Sequence, residues 1–309
     1  MTSARRKGEQ PLGRMLMIGV PYVWLAIFFL APFLIVLKIS LSDYAIAIPP
    51  YTPTIDLSQG LSSVVAAIGK LDFENYVFLA TDDLFLVAYL SSLKIAFVST
   101  LITLLIGYPL AYGMARAPKA WRPTLLMLVI LPFWTSFLIR VYAWIGILKP
   151  EGLITVALQA VGIFGPDEQL RILNTNTAVY IGIVYSYLPF MVLPLYSALE
   201  KMDESLLEAA SDLGCPPIKA FWLITLPLSL PGVVAGCFLV FIPAVGEFVI
   251  PDLLGGSETL MIGKQLWNEF FYNRDWPVSA AVATVLLLIL IVPIVLFQQQ
   301  QQRQQEKNS

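Results

Sequence analysis

Apolar residues run through this sequence in six long blocks separated by polar segments. The first, residues 15–38, opens with 23 uncharged residues from Met15 to Leu37, enough for a helix to cross a hydrocarbon core of about 30 Å. A cleaved secretory signal has an apolar region of only about 7–15 residues, so this block reads as a retained first span. Before it, residues 1–14 form a polar tail carrying Arg5, Arg6, Lys7 and Arg14. Residues 39–92 are polar and contain Pro49, Pro50 and Pro53, with enough apolar and aromatic residues between Leu71 and Leu90 to fold against a membrane domain. A core of residues 93–297 follows, with further blocks at 93–115, 124–148, 178–199, 226–250 and 278–297. The pattern predicts an all-α membrane protein with six transmembrane helices. Residues 298–309 are glutamine-rich, a composition that predicts a disordered tail.

The polar segment at about 200–225 has a different pattern. Asp203 can cap a helix start, and Asp203 and Glu204 place negative charge where the helix dipole favours it. Leu206, Leu207, Ala210 and Leu213 recur at helical spacing as one apolar face. Gly214 then stops the helix in a left-handed turn, and Pro216 and Pro217 keep it from resuming. On pattern alone this is either a connector on the membrane surface or a short knob that fits another protein's groove.

Spacing sharpens the choice. Glu208, Ala209 and Ala210, then Gly214, then Ile224, Leu226 and Pro227 resemble the EAA loop of ABC importer permeases at every motif position. In that family this cytoplasmic loop docks on the ATP-hydrolysing subunit, so the resemblance assigns these seven residues to ATPase coupling.

Composition and charge agree with a membrane chain. The 309 residues are 58% hydrophobic and 13% charged, against about 25% charged in soluble domains. Mean hydropathy is +0.76. A net charge of −2 implies no nucleic-acid partner. The absence of histidine removes the usual general base and the commonest metal ligand. Cys215 and Cys237 have no spacing that suggests a disulfide framework or a metal site. Six spans put both termini on one side. With them inside, eleven of the 19 Lys and Arg fall in short cytoplasmic segments, as the positive-inside rule requires. Thirteen of the 21 acids fall outside, a bias that reads either as ordinary solvated loops or as an outer face attractive to cations.

Inside the spans the candidate chemistry is sparse. Pro109, Pro132, Pro189, Pro194, Pro243 and Pro293 mark bends or breaks, tolerated where protein or a water-filled cavity satisfies the freed carbonyls. Arg140 and Glu247 are intramembrane charges, about 12 and 6 Å from the outer ends of their spans at 1.5 Å per residue. Either they form a structural ion pair, or Glu247 faces the pathway and meets a cationic ligand. Trp134, Tyr142, Trp144, Tyr185, Tyr187 and Phe248 lie at comparable depth and could add cation–π attraction, or could serve as interfacial anchors.

Leu131 to Leu148, Ala178 to Tyr196 and Phe241 to Gly256 carry LPFWTSFLIRVYAWIGIL, AVYIGIVYSYLPFMVLPLY and FIPAVGEFVIPDLLGG. These stretches resemble permease subunits of bacterial spermidine/putrescine ABC importers, and look most like the putrescine type. The resemblance implies a type I importer permease in the inner membrane, not itself an enzyme. Its expected partners are a second related permease, two copies of an ATP-binding subunit and a periplasmic polyamine-binding protein. No Gly-x-x-x-x-Gly-Lys-Ser/Thr loop is present, so ATP and Mg²⁺ would sit on the ATPases and this chain would hold no cofactor. The expected substrate pathway is Glu247 with Trp134, Tyr142, Tyr187, Phe248 and Asp252. A permease for another small substrate and an ion-coupled secondary transporter remain as alternatives.

Overall fold

The structure, a computed structural model, describes residues 11–55 and 61–308. The chain begins with α1 (Pro11–Leu25), which passes through a π-turn (Ala26–Leu30) into α2 (Ala31–Ser40). Pro32 has no N–H to offer the carbonyl four residues back, and its ring crowds that carbonyl. Widening the preceding turn relieves the clash. A short antiparallel ribbon follows, β1 (Asp43–Tyr44) with β2 (Tyr51–Thr52), a small departure from an all-α chain. Next come α3 (Leu61–Ile68), α4 (Glu74–Thr81) and α5 (Asp83–Arg116). Then come α6 (Arg122–Ile130), a 3₁₀ turn (Leu131–Trp134), α7 (Phe137–Leu148) and α8 (Leu153–Ala160). The rest is α9 (Asn176–Glu200), α10 (Ser205–Asp212), α11 (Pro217–Ala220), a π-turn (Phe221–Thr225), α12 (Leu226–Val245), α13 (Val249–Leu253), α14 (Ile262–Trp267) and α15 (Trp276–Asn308).

Among the described residues, five stretches are long and apolar enough to cross a membrane: Met17–Ser40, Asp83–Arg116, Phe137–Ala160, Asn176–Glu200 and Pro217–Val245. Arg122–Trp134 and Trp276–Val292 are shorter apolar helices. The block expected as one span at 124–148 is therefore broken. Pro132 withholds an N–H and crowds the turn before it, and here the chain turns tightly through the 3₁₀ segment before α7 restarts. The second span starts earlier than residue 93. At 34 residues, α5 is about 51 Å long at 1.5 Å per residue, more than a bilayer core requires. The glutamine-rich tail, expected to be disordered, continues α15 to Asn308. Glutamine is a good helix former, and elongating an existing helix avoids the cost of nucleation.

The chain divides into two compact units, Met1–Asp82 with Asn268–Ser309, and Asp83–Trp267. In the first unit, α15 packs on α2 and α4. Asn75 Nδ2 donates to the Ser40 and Ser42 carbonyls at 3.0 and 2.9 Å, and the Ser40 and Tyr76 hydroxyls lie 2.6 Å apart. The apolar window of Met17–Ser40 has no buried residue, so its side chains remain available to lipid.

In the second unit, α5, α9 and α12 pack against one another. Met191, Val192 and Leu195 of α9 are fully buried with Val240 of α12 and Ala111 of α5. Helix approach in a bilayer depends on small residues at the contacts. Gly236 is one: a Cβ there would lie 2.7 Å from Met191 Sδ and 3.1 Å from the Met191 carbonyl.

Candidate functional site

The protruding loop is built as its punctuation requires. Asp203 Oδ1 accepts the Ser205 N–H at 3.0 Å, and the Ser205 N–H and hydroxyl together hold this exposed carboxyl below the ordinary aspartate range. α10 then runs for eight residues. Gly214 closes it at φ +74°. The Cys215 N–H reaches the Ala210 carbonyl at 2.9 Å and the Gly214 N–H reaches Ser211 at 2.8 Å, a left-handed cap that satisfies the last carbonyls. Pro217 opens α11. The π-turn Phe221–Thr225 precedes Pro227, repeating the device seen before Pro32.

The apolar face of α10 is narrower than its spacing suggests. Ala210 is buried and Leu207 half-buried, but Leu206 and Leu213 are exposed, the latter at 88%. Glu208, Ala209 and Pro227 are exposed as well, while Ile224 and Leu226 are half-buried. Behind the helix, Tyr112, Leu207, Ser211, Cys215 and Phe221 line a cavity of about 240 Å³. The Phe221 ring lies edge-on to Tyr108 and Tyr112, with centroids 5.5 and 6.4 Å away. The loop thus has an inner side seated on α5 through Phe221 and an uncovered outer side that presents Leu206, Ala209 and Leu213 beside Glu208 and Asp212.

The second candidate is a cavity of about 480 Å³ lined by Phe133, Phe137, Arg140, Ser186, Tyr187, Phe190, Pro243, Gly246, Glu247, Phe248 and Val249. Glu247 sits at the break between α12 and α13 and is 8% exposed. Its Oε2 accepts the Tyr187 hydroxyl at 2.5 Å. Its Oε1 faces the N–H groups that open α13, those of the preceding Phe248 and of Val249 and Ile250, at 3.1, 3.0 and 3.4 Å. Those donors are otherwise orphaned at a helix start, where the helix dipole also favours an anion.

Arg140 lines the same cavity but does not pair with Glu247. No ion pair within 4.0 Å joins them, and the three found among the described residues involve other groups. Its guanidinium donates to the Pro132 and Thr135 carbonyls and lies over the Phe133 and Phe137 rings at 5.1 and 5.8 Å. The two charges line one cavity, but each bonds to its own local backbone.

Of the pathway residues expected from the sequence, Glu247, Tyr187 and Phe248 meet in this cavity. The Phe248 ring stacks on Trp267 at 4.4 Å. Trp134 is 71% and Tyr142 58% exposed, and neither lines the cavity. Asp252 instead pairs with Lys264 at 3.4 Å. Tyr185 pairs edge-on with Trp144 at 5.3 Å. Phe133, Phe137 and Phe190 were missed. The available signal was three-residue spacing, which puts Phe137 on the face of Arg140 and Phe190 on the face of Tyr187.

A bundle of membrane-length helices, with a charged cavity at a helix break and a glycine-capped helix projecting between two spans, defines a membrane transport component. The chain belongs to the family of binding-protein-dependent transport system inner membrane components, which matches residues 104–304. It is accordingly a multi-pass inner-membrane protein, a transport component and not an enzyme. The "Spermidine/putrescine transport system permease protein PotB" of Haemophilus influenzae is 41% identical over 266 residues, 86% of each chain. The protein of the same name from Escherichia coli K12 is 44% identical over 227 residues, 74% of this chain and 81% of the relative. Among solved structures, a bacterial ABC transporter involved in import of the acidic polysaccharide alginate superposes with a TM-score of 0.67 at 16% identity, covering 95% of this chain and 97% of that one. That likeness establishes the shared fold.

Proposed function

We propose that this chain is one permease of an ATP-driven polyamine importer, moving putrescine or spermidine inward by alternating access. The observation that carries the coupling is the capped α10 helix, whose Glu208–Pro227 motif leaves an uncovered side for a partner. The relatives named for spermidine and putrescine, at 41% and 44% identity, support the substrate class. Glu247 supplies the matching chemistry, a buried carboxylate in an aromatic cavity, since an ammonium leaving water needs charge, acceptor oxygens and π faces.

On this reading the broken segment α6–α7 and the apolar start of α15 complete six spans, and both termini lie in the cytoplasm. A second related permease, two ATPase subunits that bind ATP and Mg²⁺, and a periplasmic polyamine-binding protein complete the machine. A permease for another small substrate is the second reading, favoured by the Arg140 guanidinium in the same cavity. The test is to purify the intact complex, identify its chains, and reconstitute it with the binding protein. ATP-dependent uptake of labelled putrescine or spermidine supports the assignment. Uptake that ignores ATP, or ATP-dependent uptake of neither polyamine, refutes it. Active transport with this chain as the sole permease would exclude the hetero-oligomer.

A further inference from the structure

Two ion pairs bind the root of the α10 loop to the turn between α5 and α6. Arg116, the last residue of α5, places Nη1 3.1 Å from Glu204 Oε1. Arg122, the first of α6, places Nη1 3.6 Å from Glu200 Oε1. The acids are Glu200, the last residue of α9, and Glu204, the residue immediately before α10. The backbone carbonyl of Glu204 also accepts the Leu207 and Glu208 N–H groups at 3.0 and 3.2 Å, so this one residue belongs to both the helix start and the ion pair.

Further contacts fix the four charges. Arg122 Nε donates to the Ala117 carbonyl at 2.9 Å, closing the α5–α6 turn. Tyr196, one helical turn before Glu200, donates to its Oε1 at 2.6 Å. The Arg116 guanidinium lies 5.6 Å from the Tyr112 ring centroid, one turn back on α5. Tyr112 also walls the cavity behind α10.

We infer that Arg116, Arg122, Glu200 and Glu204 form a clasp that carries displacement of the α10 helix to α5 and α6. They are positioning residues for the transport cycle. The arrangement contributes only modestly to holding the fold: the arginine side chains are 24% and 16% exposed, but the acids are 64% and 43% exposed, and a pair with one partner this open to water is worth little. It is well suited to transmitting movement. α10 is tied at its first turn to the end of a 34-residue helix, and that helix packs along both α9 and α12. A partner pushing on the uncovered side of α10 moves Glu204, and Glu204 moves Arg116. Without the clasp, α10 could rotate on its flanking turns while α5 stayed in place.

The inference rests on the coupling reading of this loop, and the test separates the two. The full complex with its ATPases and binding protein is reconstituted carrying Glu204→Arg, Arg116→Glu, or both. ATP hydrolysed and polyamine moved are measured on the same vesicles. Each single reversal should leave the ATPases bound and hydrolysing. ATP consumed per polyamine should rise severalfold, because hydrolysis continues while fewer cycles move substrate. The double swap should restore most of the ratio. If a reversal blocks assembly, the neutral pair Glu200→Gln with Glu204→Gln decides on the same ratio. An unchanged ratio in these variants, or a swapped complex that assembles without recovering it, overturns the clasp alone. Wild-type uptake that needs no ATP overturns the coupling reading and the clasp with it.

Discussion

Replacing Glu247 with glutamine removes one charge from the membrane cavity and almost no volume. The carboxylate has four donors, the Tyr187 hydroxyl and three backbone N–H groups. A hydrogen bond to a charged group is worth about 1.5–3 kcal/mol, against about 0.5–1.5 for a neutral one. The amide oxygen can still accept from the α13 N–H groups, so the helix start survives. An alkylammonium arriving at Oε2 loses its charge-assisted contact, a difference of about 1–1.5 kcal/mol. Since each 1.36 kcal/mol is about tenfold in rate, polyamine uptake at subsaturating substrate should fall about tenfold.

The assay is uptake by the reconstituted complex, scored beside the yield of assembled complex. Yield should stay close to wild type because the backbone N–H groups keep an acceptor. Arg140 is held by the Pro132 and Thr135 carbonyls, so adding Arg140→Met should rescue neither uptake nor yield. Wild-type uptake by Glu247→Gln in a stable complex would remove this charge from the transport mechanism. Loss of yield that Arg140→Met repairs would mean the two residues act as a pair after all.

Three further outcomes are expected. Gly214→Val puts a β-branched side chain at φ +74°, a strain of roughly 1–2 kcal/mol. It should reduce ATPase co-purification and uptake while the chain still inserts, and undiminished coupled transport would refute the docking role. Gly236→Ala drives a Cβ to 2.7 Å from Met191 Sδ, an overpacking of about 1–3 kcal/mol. The purified complex should melt lower, whereas Gly113→Ala, with nothing within 4 Å, should not shift it; equal melting of both refutes the packing argument. Burial raises the carboxyl pKa values of Glu269 and Asp275, Glu269 being pushed further by Asp275 and Asp82. The folded state therefore holds these protons more tightly than the unfolded chain, and the penalty present at neutral pH is relieved as pH falls through the raised values. Melting temperature should rise on mild acidification, less so in Glu269→Gln, and an identical pH slope would refute the assignment.

How far the sequence could be read depended on whether the signal was local. Gly214 and the prolines after it fix the knob because a left-handed stop is a property of a few adjacent residues. Pro132 was legible as a weak point, but an apolar run has no mark separating a bent span from a broken one. Residue counting alone suggested that Arg140 and Glu247 lie at a similar level, and the two do line one cavity. Orientation was not legible. Rotation about the helix axis decides whether two charges at one level meet, and the 3₁₀ turn changes that rotation, bringing Phe133 into the cavity in place of Trp134. Tyr187 and Glu247 are 60 residues apart in sequence, and the contact forms only when α9 packs on α12 and α13.

The same consideration explains why the intramembrane charges need no ion pair. A broken helix leaves carbonyls without donors at one end and N–H groups without acceptors at the next start. Arg140 lies beside the break at Leu131–Trp134 and donates to the Thr135 carbonyl and, alongside the Thr135 N–H and hydroxyl, to the Pro132 carbonyl. Glu247 lies in the break before Val249–Leu253 and takes the N–H groups. Each charge bonds to backbone beside its own break, and the backbone in turn stabilises the charge. Opposite charges can then face one cavity without neutralising each other directly. A directly paired carboxylate would have to exchange a tethered guanidinium for the incoming amine. Glu247 makes no such exchange, because its donors are a phenol and a helix start, and both can remain in place when a cation arrives.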